Sequence, residues 1–429
     1  MGKIFKSSWA LFGGYGIIMI AQGLQGNLLG VRSVIEGFNF IATGTMMSGY
    51  FIGYFVGANF VPNLVSKVGH VRVFAAFASM ASLSILIHAT FVNPFIWTCA
   101  RFLSGMSIIG IFIVVESWLN DRANNRSRGK LLSVYMFITF AGAALGTLLL
   151  NFGSPENFEP FILVSLLLSV ALVPILLTKR KAPKFKKIGT LNVKDLYKIS
   201  PFGSFSAFVT GFIHSSIFTL AAVYAALLNF TIAEISFFLF LIIISGALFQ
   251  WPIGHFSDLH DRRLIIILVT FLAAIFAFLI IYISGGSFQN MYLAVTMGKE
   301  KILFYLFTIL YAGAALPIYT LNIAYVNDFI SKNKFVAAGG GMQVIFGMGA
   351  MVGPFFCSIF MNNYGPNGFF IFLLILHLII GLFGVYRITR REVKENPDST
   401  FTPLPRNITP LGMELDPSTG ADLSDNQEK

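Results

Sequence analysis

The sequence has few charged residues and almost no cysteine. Only 11% of its 429 residues are Asp, Glu, Lys or Arg, whereas 56% are hydrophobic and the mean hydropathy is +0.76. Soluble domains carry about 25% charged residues, so this composition excludes a soluble protein. The two cysteines, Cys99 and Cys357, lie in apolar runs and are too few for a disulfide framework or a zinc site.

The sequence also lacks the motifs of several catalytic classes. It has no phosphate-binding G-x-x-x-x-G-K-[ST] loop, no nucleophile elbow and no His-Glu-x-x-His metal motif. We therefore expect no enzymatic activity, no metal and no cofactor. The formal net charge is +11, but the basic residues lie mostly in loops between apolar runs, where they set membrane orientation. This placement argues against nucleic-acid binding.

Long apolar runs make up most of the chain. Each is about 20 residues long, which is enough to cross roughly 30 Å of hydrocarbon as a helix. The pattern predicts an all-α polytopic membrane protein with twelve transmembrane helices. The predicted spans are 8–29, 39–61, 72–91, 94–118, 131–152, 160–178, 202–228, 232–253, 264–283, 302–326, 335–360 and 367–387.

Basic residues are distributed unequally between the two sides of these spans. Connections after odd-numbered spans hold only Arg32, Lys299 and Lys301. By the positive-inside rule, the other side is cytoplasmic, and so are both termini. Connections after even-numbered spans hold Lys67, Arg72, Arg122, Arg126, Arg128, Lys130, a basic run from Lys179 to Lys198, Arg262, Arg263, Lys332 and Lys334.

The longest internal connection divides the spans six and six. We expect an N-terminal bundle over residues 1–178, a basic cytoplasmic linker over 179–200 and a C-terminal bundle over 201–387. Residues 388–429 are polar, contain prolines and become acidic toward the end. That composition predicts a disordered cytoplasmic tail.

An internal repeat supports this division. Trp118-Leu-Asn-Asp121 closes the fourth span, and Tyr325-Val-Asn-Asp328 closes the tenth, 207 residues later. The same offset pairs Gly142 with Gly349 and Gly146 with Gly353. A duplicated unit predicts two pseudosymmetric six-helix bundles.

Small residues at helical spacing indicate close helix contacts. Gly49, Gly53 and Gly57 lie on one face of the second span, and the four glycines of the repeat lie in the fifth and eleventh spans. Such faces pack statically against a neighbouring helix, or they let one bundle slide past the other. The sequence leaves both interpretations open.

A loop motif follows the eighth span: Gly254, Asp258, Arg262 and Arg263 lie at the spacing G-x-x-x-D-x-x-x-R/K. Together with twelve spans split six and six, this motif resembles the Major Facilitator Superfamily over residues 8 to 390. The segments Val115-Glu-Ser-Trp-Leu-Asn120 and 249–258 resemble a bacterial branch of that family. The resemblance implies a multi-pass protein of the bacterial inner membrane but names no substrate.

The resemblance also implies a role for the loop acid, which holds the cytoplasmic ends of the two bundles together in the family. The loop after the second span is a degraded copy, with Pro62 in place of the glycine and Ser66 in place of the acid. We therefore expect the principal latch at Asp258, facing residues 131–133. A plain topogenic loop is the alternative. The first-half loop keeps Lys67, Gly69 and Arg72.

Few ionisable residues lie within spans, where charge is costly and usually functional, and the candidates for function are Arg101, Glu116 and His214. The resemblance implies that Arg101 takes part in proton coupling, although an arginine at that depth can instead reach the external surface. Glu116 either pairs with a loop arginine such as Arg122 or carries a proton. His214 either titrates near neutral pH or makes a neutral hydrogen bond between helices.

Polar side chains in the spans suggest a solute site. By the resemblance, spans one, four, seven and ten line a central cavity, although each polar group can equally join two helices. The set suits a polar neutral or anionic solute better than a cation. The candidate contacts are Gln22, Gln25, Tyr224, Gln250 and Asn322.

From these features we predict a secondary active transporter of a small solute that works by alternating access. Proton coupling is favoured over sodium coupling because no cluster of carboxylates lies within the spans. We expect a monomer whose partners are a small-molecule substrate, protons and the lipid bilayer. The alternatives are an exporter of drug-like or amphipathic compounds, a channel, and a membrane sensor or scaffold that does not transport.

Overall fold

The computed structural model describes residues 2–177, 189–284, 298–390 and 400–419. Each predicted span coincides with a helix or with two consecutive helices, and the described residues contain no strand. The helices are α1 (Gly2–Ile35), α2 (Phe40–Val68), α3 (His70–Thr90), α4 (Pro94–Arg122), α5 (Arg128–Leu148), α6 (Glu159–Val170), α7 (Leu172–Leu176), α8 (Val193–Ile199), α9 (Pro201–Leu227), α10 (Ile232–Leu259), α11 (Arg262–Ile283), α12 (Gly298–Ala315), α13 (Ile318–Asn327), α14 (Phe335–Tyr364), α15 (Gly368–Ile388) and α16 (Pro410–Met413).

The helix lengths fit a bilayer. Within the described ranges, ten helical segments are both long enough and apolar enough to span a membrane. Helices α1 and α2, with 34 and 29 residues, are also long enough, but glycine, amide and hydroxyl side chains lower their hydropathy. The all-α polytopic membrane fold predicted from the sequence is confirmed.

Local sequence signals fix several helix ends. The Asn93 side chain accepts hydrogen bonds from the first free N–H groups of α4. Thr231 and Glu234 form a capping box at the start of α10. Gly69 joins α2 to α3 with φ +94°, a conformation that a side chain would strain. The glycine of the first-half loop motif is therefore required by the turn itself.

Within the first half, α2 and α4 pack almost backbone to backbone. A Cβ added at Gly53 would overlap the carbonyl oxygen of Phe102, and one at Gly105 would overlap that of Tyr50. Gly49 and Gly57 face the same partner helix. All three predicted packing glycines of α2 thus lie inside one half, where they hold α2 against α4.

The repeat glycines make matching contacts in the two halves. A Cβ at Gly146 of α5 would overlap the carbonyl oxygen of Ile20 in α1. A Cβ at Gly349 of α14 would overlap that of Phe208 in α9. Gly142 and Gly353 face the same two helices, α1 and α9.

A second pair of matching contacts involves the loop motifs. The His70 ring nitrogen Nε2 lies 2.8 Å from Ser117 Oγ in α4. Arg262, which holds the same place in the second-half motif, donates a hydrogen bond to the Ala324 carbonyl in α13 at 3.3 Å. Ala324 lies 207 residues after Ser117. Equivalent positions thus make equivalent contacts, which supports a duplicated pair of bundles.

The two halves touch directly at one end of the molecule. We call it the far end; it carries the connections at residues 36–39, 152–158 and 228–231. There the Phe355 N–H donates to Ser48 Oγ at 3.2 Å, and the Asn151 amide donates to Ser236 Oγ at 2.7 Å. We call the opposite end, with the connections at 68–70, 123–127 and 259–262, the motif end.

The C-terminal tail differs from the expectation of disorder. Residues 400–419 are folded and enter the molecule at the motif end, between the two halves. Four apolar side chains hold them there: Leu404, Ile408, Leu411 and Leu415 are all buried. We call residues 400–419 the tail segment. The linker residues 179–188 and the tail residues 391–399 and 420–429 lie outside the described residues.

We predict that Gly53→Ala destabilises the protein because the added methyl group forces α2 away from α4. Overpacking of this kind costs about 1–3 kcal/mol. Gly13→Ala is the matched control, since a Cβ at that helical position meets nothing within 4 Å. Thermal unfolding of the purified variants in detergent should show a lower midpoint for Gly53→Ala alone. Equal midpoints for the two variants would contradict the close packing of α2 and α4.

Candidate functional site

A central cavity of about 270 Å³ lies between the two halves. Helices α1, α2, α4 and α5 of the first half line it, as do α9, α10, α13 and α14 of the second. The tail segment closes it on the motif side through Leu404, Pro405, Arg406, Asn407 and Pro410.

Arg101 supplies a positive charge to the cavity wall. Its side chain is 2% exposed, so the guanidinium does not reach the external surface. The group lies over the Tyr50 ring at 4.5 Å, and its Nε has no hydrogen-bond partner. Within the described residues no carboxylate pairs with it. Within the described part of the chain, Arg101 is thus a buried cation whose charge is stabilised by the Tyr50 ring and not by a carboxylate.

The tail segment supplies a second positive charge. The Arg406 guanidinium lies 3.2 Å from the centre of the Phe218 ring, which belongs to α9. Burial lowers the pKa of Arg406 to about 10, so the group is still protonated at neutral pH. Its neighbour Asn407 accepts a hydrogen bond from the Tyr54 hydroxyl through its carbonyl oxygen at 2.9 Å.

Two predicted amides face the cavity, Gln22 and Gln250. The Gln22 amide nitrogen is buried and has no hydrogen-bond partner among the described residues. The Gln250 amide donates to Thr320 Oγ1 at 2.8 Å and to the Leu404 carbonyl at 3.0 Å. Gln250 is thus committed to holding the tail segment in this conformation.

His214 also lines the cavity. Its Nε2 lies 3.3 Å from the Ala315 carbonyl oxygen, and its Nδ1 has no partner. Within the described residues no three His, Cys, Asp or Glu side chains come together as a metal site would need. The cavity therefore offers positive charge, hydrogen bonds and one imidazole.

Three predicted contacts do not line the cavity. Gln25 donates to Ser104 between α1 and α4 at 3.2 Å. Tyr224 packs between phenylalanine rings, with its hydroxyl 3.4 Å from Ser284 Oγ. Asn322 donates to Thr210 between α13 and α9 at 3.4 Å. All three join helices, which is the alternative that the sequence left open.

Glu116 binds the tail segment. Its side chain is completely buried, and its carboxylate accepts hydrogen bonds from the Tyr135 hydroxyl at 2.7 Å and from the backbone N–H groups of Thr409 and Gly412 at 3.0 and 3.1 Å. The Thr409 hydroxyl contacts it too. A carboxylate has only acceptors, so this ring of donors suits it. The sequence left open a pairing with a loop arginine such as Arg122 or a role as proton carrier, and in this structure the carboxylate pairs with the tail segment.

The predicted latch at Asp258 also meets the tail segment. Its Oδ1 accepts hydrogen bonds from Arg262 at 2.5 Å and from the Phe401 N–H at 2.8 Å. Arg262 in turn forms an ion pair with Asp328 at the end of α13. The bonds of Asp258 therefore go to its own half and to the tail, and the expected contact with residues 131–133 is not formed here.

The remaining loop residues have local roles. Arg263 pairs with Asp261 at 2.8 Å, next to the start of α11. A Cβ at Gly254 would overlap the Phe401 ring, so this glycine lets the tail approach α10. In the first-half loop, Lys67 and Arg72 are exposed.

The prediction from sequence missed the two tyrosines of α2 and the arginine of the tail. Tyr50 and Tyr54 are one helical turn apart, so they face one way, and this spacing was a usable signal. Arg406 was missed because its segment was expected to be disordered.

Comparison with known proteins decides the family. The profile of the Major Facilitator Superfamily matches residues 11–321 and also residues 203–418. The chain belongs to the Major Facilitator Superfamily. It is therefore a multi-pass membrane protein of a transporter family, as its loop motif and spans predicted.

Individual relatives agree with this assignment. The chain is 24% identical over 332 residues to a protein of Escherichia fergusonii described as "Uncharacterized MFS-type transporter YcaD", covering 77% of this chain and 82% of that protein. A protein of Salmonella newport with the same description is also 24% identical, with the same coverage of both chains.

Solved structures show the same fold. A point mutant of the nucleoside transporter NupG has a TM-score of 0.74 at 13% identity, covering 88% of this chain and all of that one. A D-xylose-proton symporter has a TM-score of 0.65 at 12% identity, with coverage of 88% and 97%. At these identities the likeness concerns the fold alone.

We predict that Arg101→Met stabilises the protein in the absence of solute. Burial of a charge without a charged partner destabilises the folded state by several kcal/mol, whereas the cation–π contact with Tyr50 stabilises it by only about 2 kcal/mol. The thermal midpoint should rise relative to the wild type. Lys67→Met, at an exposed position, is the matched control and should leave the midpoint nearly unchanged. A fall in the Arg101→Met midpoint would show that the guanidinium is well satisfied.

Proposed function

We propose that this protein is a secondary active transporter of a small polar solute that carries a negative charge or is neutral. The observation that carries the proposal is Arg101, a buried cation on the cavity wall without a carboxylate partner among the described residues. An anionic group on the solute would offset the cost of burying that charge. Gln22 lines the same cavity and would add an amide that helps to orient the solute.

The size and charge of the cavity narrow the solute class. With the tail segment in place, the volume of about 270 Å³ is at the lower limit of ligand pockets, which measure about 300–1,000 Å³. Arg101 and Arg406 both face it and would repel a cation. These features favour a small anionic or neutral solute over the lipophilic cations that many drug exporters carry.

The places where the two halves meet support alternating access as part of the proposal. They contact each other directly at the far end, while the tail segment separates them at the motif end. The basic loops place the motif end in the cytoplasm by the positive-inside rule, so the cavity would open inward here. Rocking the halves about the cavity would close the motif end and open the far end.

The proposal includes proton coupling, with His214 as the residue that carries the proton. Its ring lines the cavity, and its buried Nδ1 has no hydrogen-bond partner among the described residues, which would leave this nitrogen free to take a proton when the cavity opens. Glu116, the other candidate, is fully occupied by Tyr135 and the tail segment. It would be able to take a proton only after the tail has left.

We predict that small anionic solutes raise the thermal midpoint of the purified protein. Binding to the folded state stabilises it by about 2.7 kcal/mol when the ligand is present at a hundred times its Kd. The panel should contain carboxylates, phosphate esters, pentoses, nucleosides and lipophilic cations. The shift given by an anionic hit should disappear in Arg101→Met and persist in Lys67→Met. Stabilisation by lipophilic cations alone would contradict the proposal.

We further predict that His214→Gln separates solute exchange from proton-driven accumulation. Glutamine keeps a hydrogen bond to the Ala315 carbonyl but cannot carry a proton. In proteoliposomes the variant should exchange a solute identified by the thermal screen but lose its response to an imposed pH gradient. His88→Gln, at a buried position in α3 outside the cavity lining, is the control. An unchanged pH response in His214→Gln would remove His214 from the coupling mechanism.

A further inference from the structure

The tail segment is bound like a peptide ligand rather than lying on the surface. It runs as loop except for the single helical turn of α16 and two short turns, and most of its residues from Leu404 to Thr419 are buried or half-buried. Its apolar residues fill the space between the two halves at the motif end. Leu404, Ile408 and Leu415 are 3%, 0% and 0% exposed. Burial of this kind stabilises a docked peptide through the hydrophobic effect.

Polar side chains of the helices recognise the backbone of the tail segment. The Tyr54 hydroxyl donates to the Asn407 carbonyl at 2.9 Å, and the Arg128 guanidinium donates to the Pro417 carbonyl at 2.8 Å. The Asn120 amide contacts the Leu411 carbonyl. Backbone contacts of this type fix the path of a peptide, as in other modes of peptide recognition.

Glu116 is the centre of this recognition. It is a carboxylate inside a membrane helix, which is costly unless donors surround it. Three of its four donor groups belong to the tail segment: the Thr409 N–H, the Thr409 hydroxyl and the Gly412 N–H. A Cβ at Gly412 would lie 2.7 Å from the Glu116 carboxyl carbon, so only glycine allows this approach. The acid and the tail segment therefore fit each other closely.

The tail segment bonds to both halves at once. Glu116, Asn120 and Arg128 belong to the first half, whereas Gln250 and Asp258 belong to the second. A peptide wedged between the halves and bonded to both prevents the motif end from closing. It also lies across the motif-side mouth of the cavity.

We propose that the motif-side mouth of the cavity is a peptide-binding site for the chain's own residues 400–419, and that transport requires this segment to leave. The requirement for release rests on the proposed transport function, whereas the binding site does not. Bound, the segment blocks the path of the solute and holds the halves in one arrangement. Released, it frees the mouth, Glu116 and Asp258.

A cysteine pair tests whether the segment docks. A Cβ at Gly129 of α5 would lie 2.8 Å from Pro417 Cγ, with no atom other than those of Pro417 within 4 Å, so a disulfide can bridge the two positions. Gly129→Cys and Pro417→Cys are combined in a full-length chain in which Cys99 and Cys357 are replaced by alanine. Mild oxidation in membranes should cross-link this pair, and neither single-cysteine variant should change. Absence of the cross-link would overturn the proposed binding site.

Accessibility of the cavity tests occlusion without any knowledge of the solute. Gln343→Cys places one thiol on the cavity wall in the same alanine background. Deletion of residues 400–429 should speed its modification by a membrane-impermeant thiol reagent at least about tenfold, the factor that corresponds to 1.4 kcal/mol of docking free energy. Glu116→Gln should also speed the modification of this thiol. It replaces one carboxylate oxygen with an amide NH2 group, which cannot accept hydrogen bonds from the Thr409 and Gly412 N–H groups. Glu234→Gln, at the far end and paired with Lys301, is the matched control and should have no effect. Equal labelling rates in all four proteins would overturn the proposal.

Measurements of solute flux distinguish the docking of the tail segment from the requirement that it leave during transport. With an anionic solute from the thermal screen, oxidation of the cysteine pair should stop exchange, and reduction should restore it. If the oxidised protein exchanges solute as fast as the reduced protein, transport does not require release of the tail segment, and that part of the proposal is wrong. If the cross-link forms and the cavity is occluded but no protein carries flux, the transport function fails while the peptide site stands.

Discussion

Close contact between helix backbones at glycine is the constraint on which the rest of the structure depends. Where α2 meets α4 and where α14 meets α9, the glycines leave no room even for a methyl group. Each half is therefore tightly packed, and little of its motion can come from within. The cavity lies along the plane between the two halves, and this is the plane about which the proposed rocking motion would take place.

The charges in that plane explain why the tail segment fills the opening between the halves at the motif end. Two halves joined only at the far end would leave the motif end open to water, with Glu116 deep inside the opening. The tail segment fills this space with leucine and isoleucine and offers backbone N–H groups to the acid. Arg101, farther in, has no carboxylate partner among the described residues, and this difference is the reason for proposing an anionic group on the solute.

The sequence predicted the fold because the bilayer imposes strict lengths and charge asymmetry. It did not predict which polar groups face the cavity. Most of helix α9 is buried, so its composition does not distinguish the cavity face from the packing faces, and the sequence could not decide between a solute contact and a helix contact for Tyr224. Residues 400–419 were predicted to be disordered because the average composition of the tail is polar. Among its polar residues, Leu404, Ile408, Leu411 and Leu415 supply the apolar side chains that are buried.

The central claim is that the tail segment holds two otherwise mobile halves in one arrangement. Pulsed electron paramagnetic resonance tests it directly, with spin labels on Lys67 and Lys332 at the motif end and on Ser154 and Tyr364 at the far end, all four exposed. The full chain should give one narrow distance distribution for each pair. Deletion of residues 400–429 should add shorter distances at the motif end and longer ones at the far end. Distributions that do not change on deletion would contradict the account.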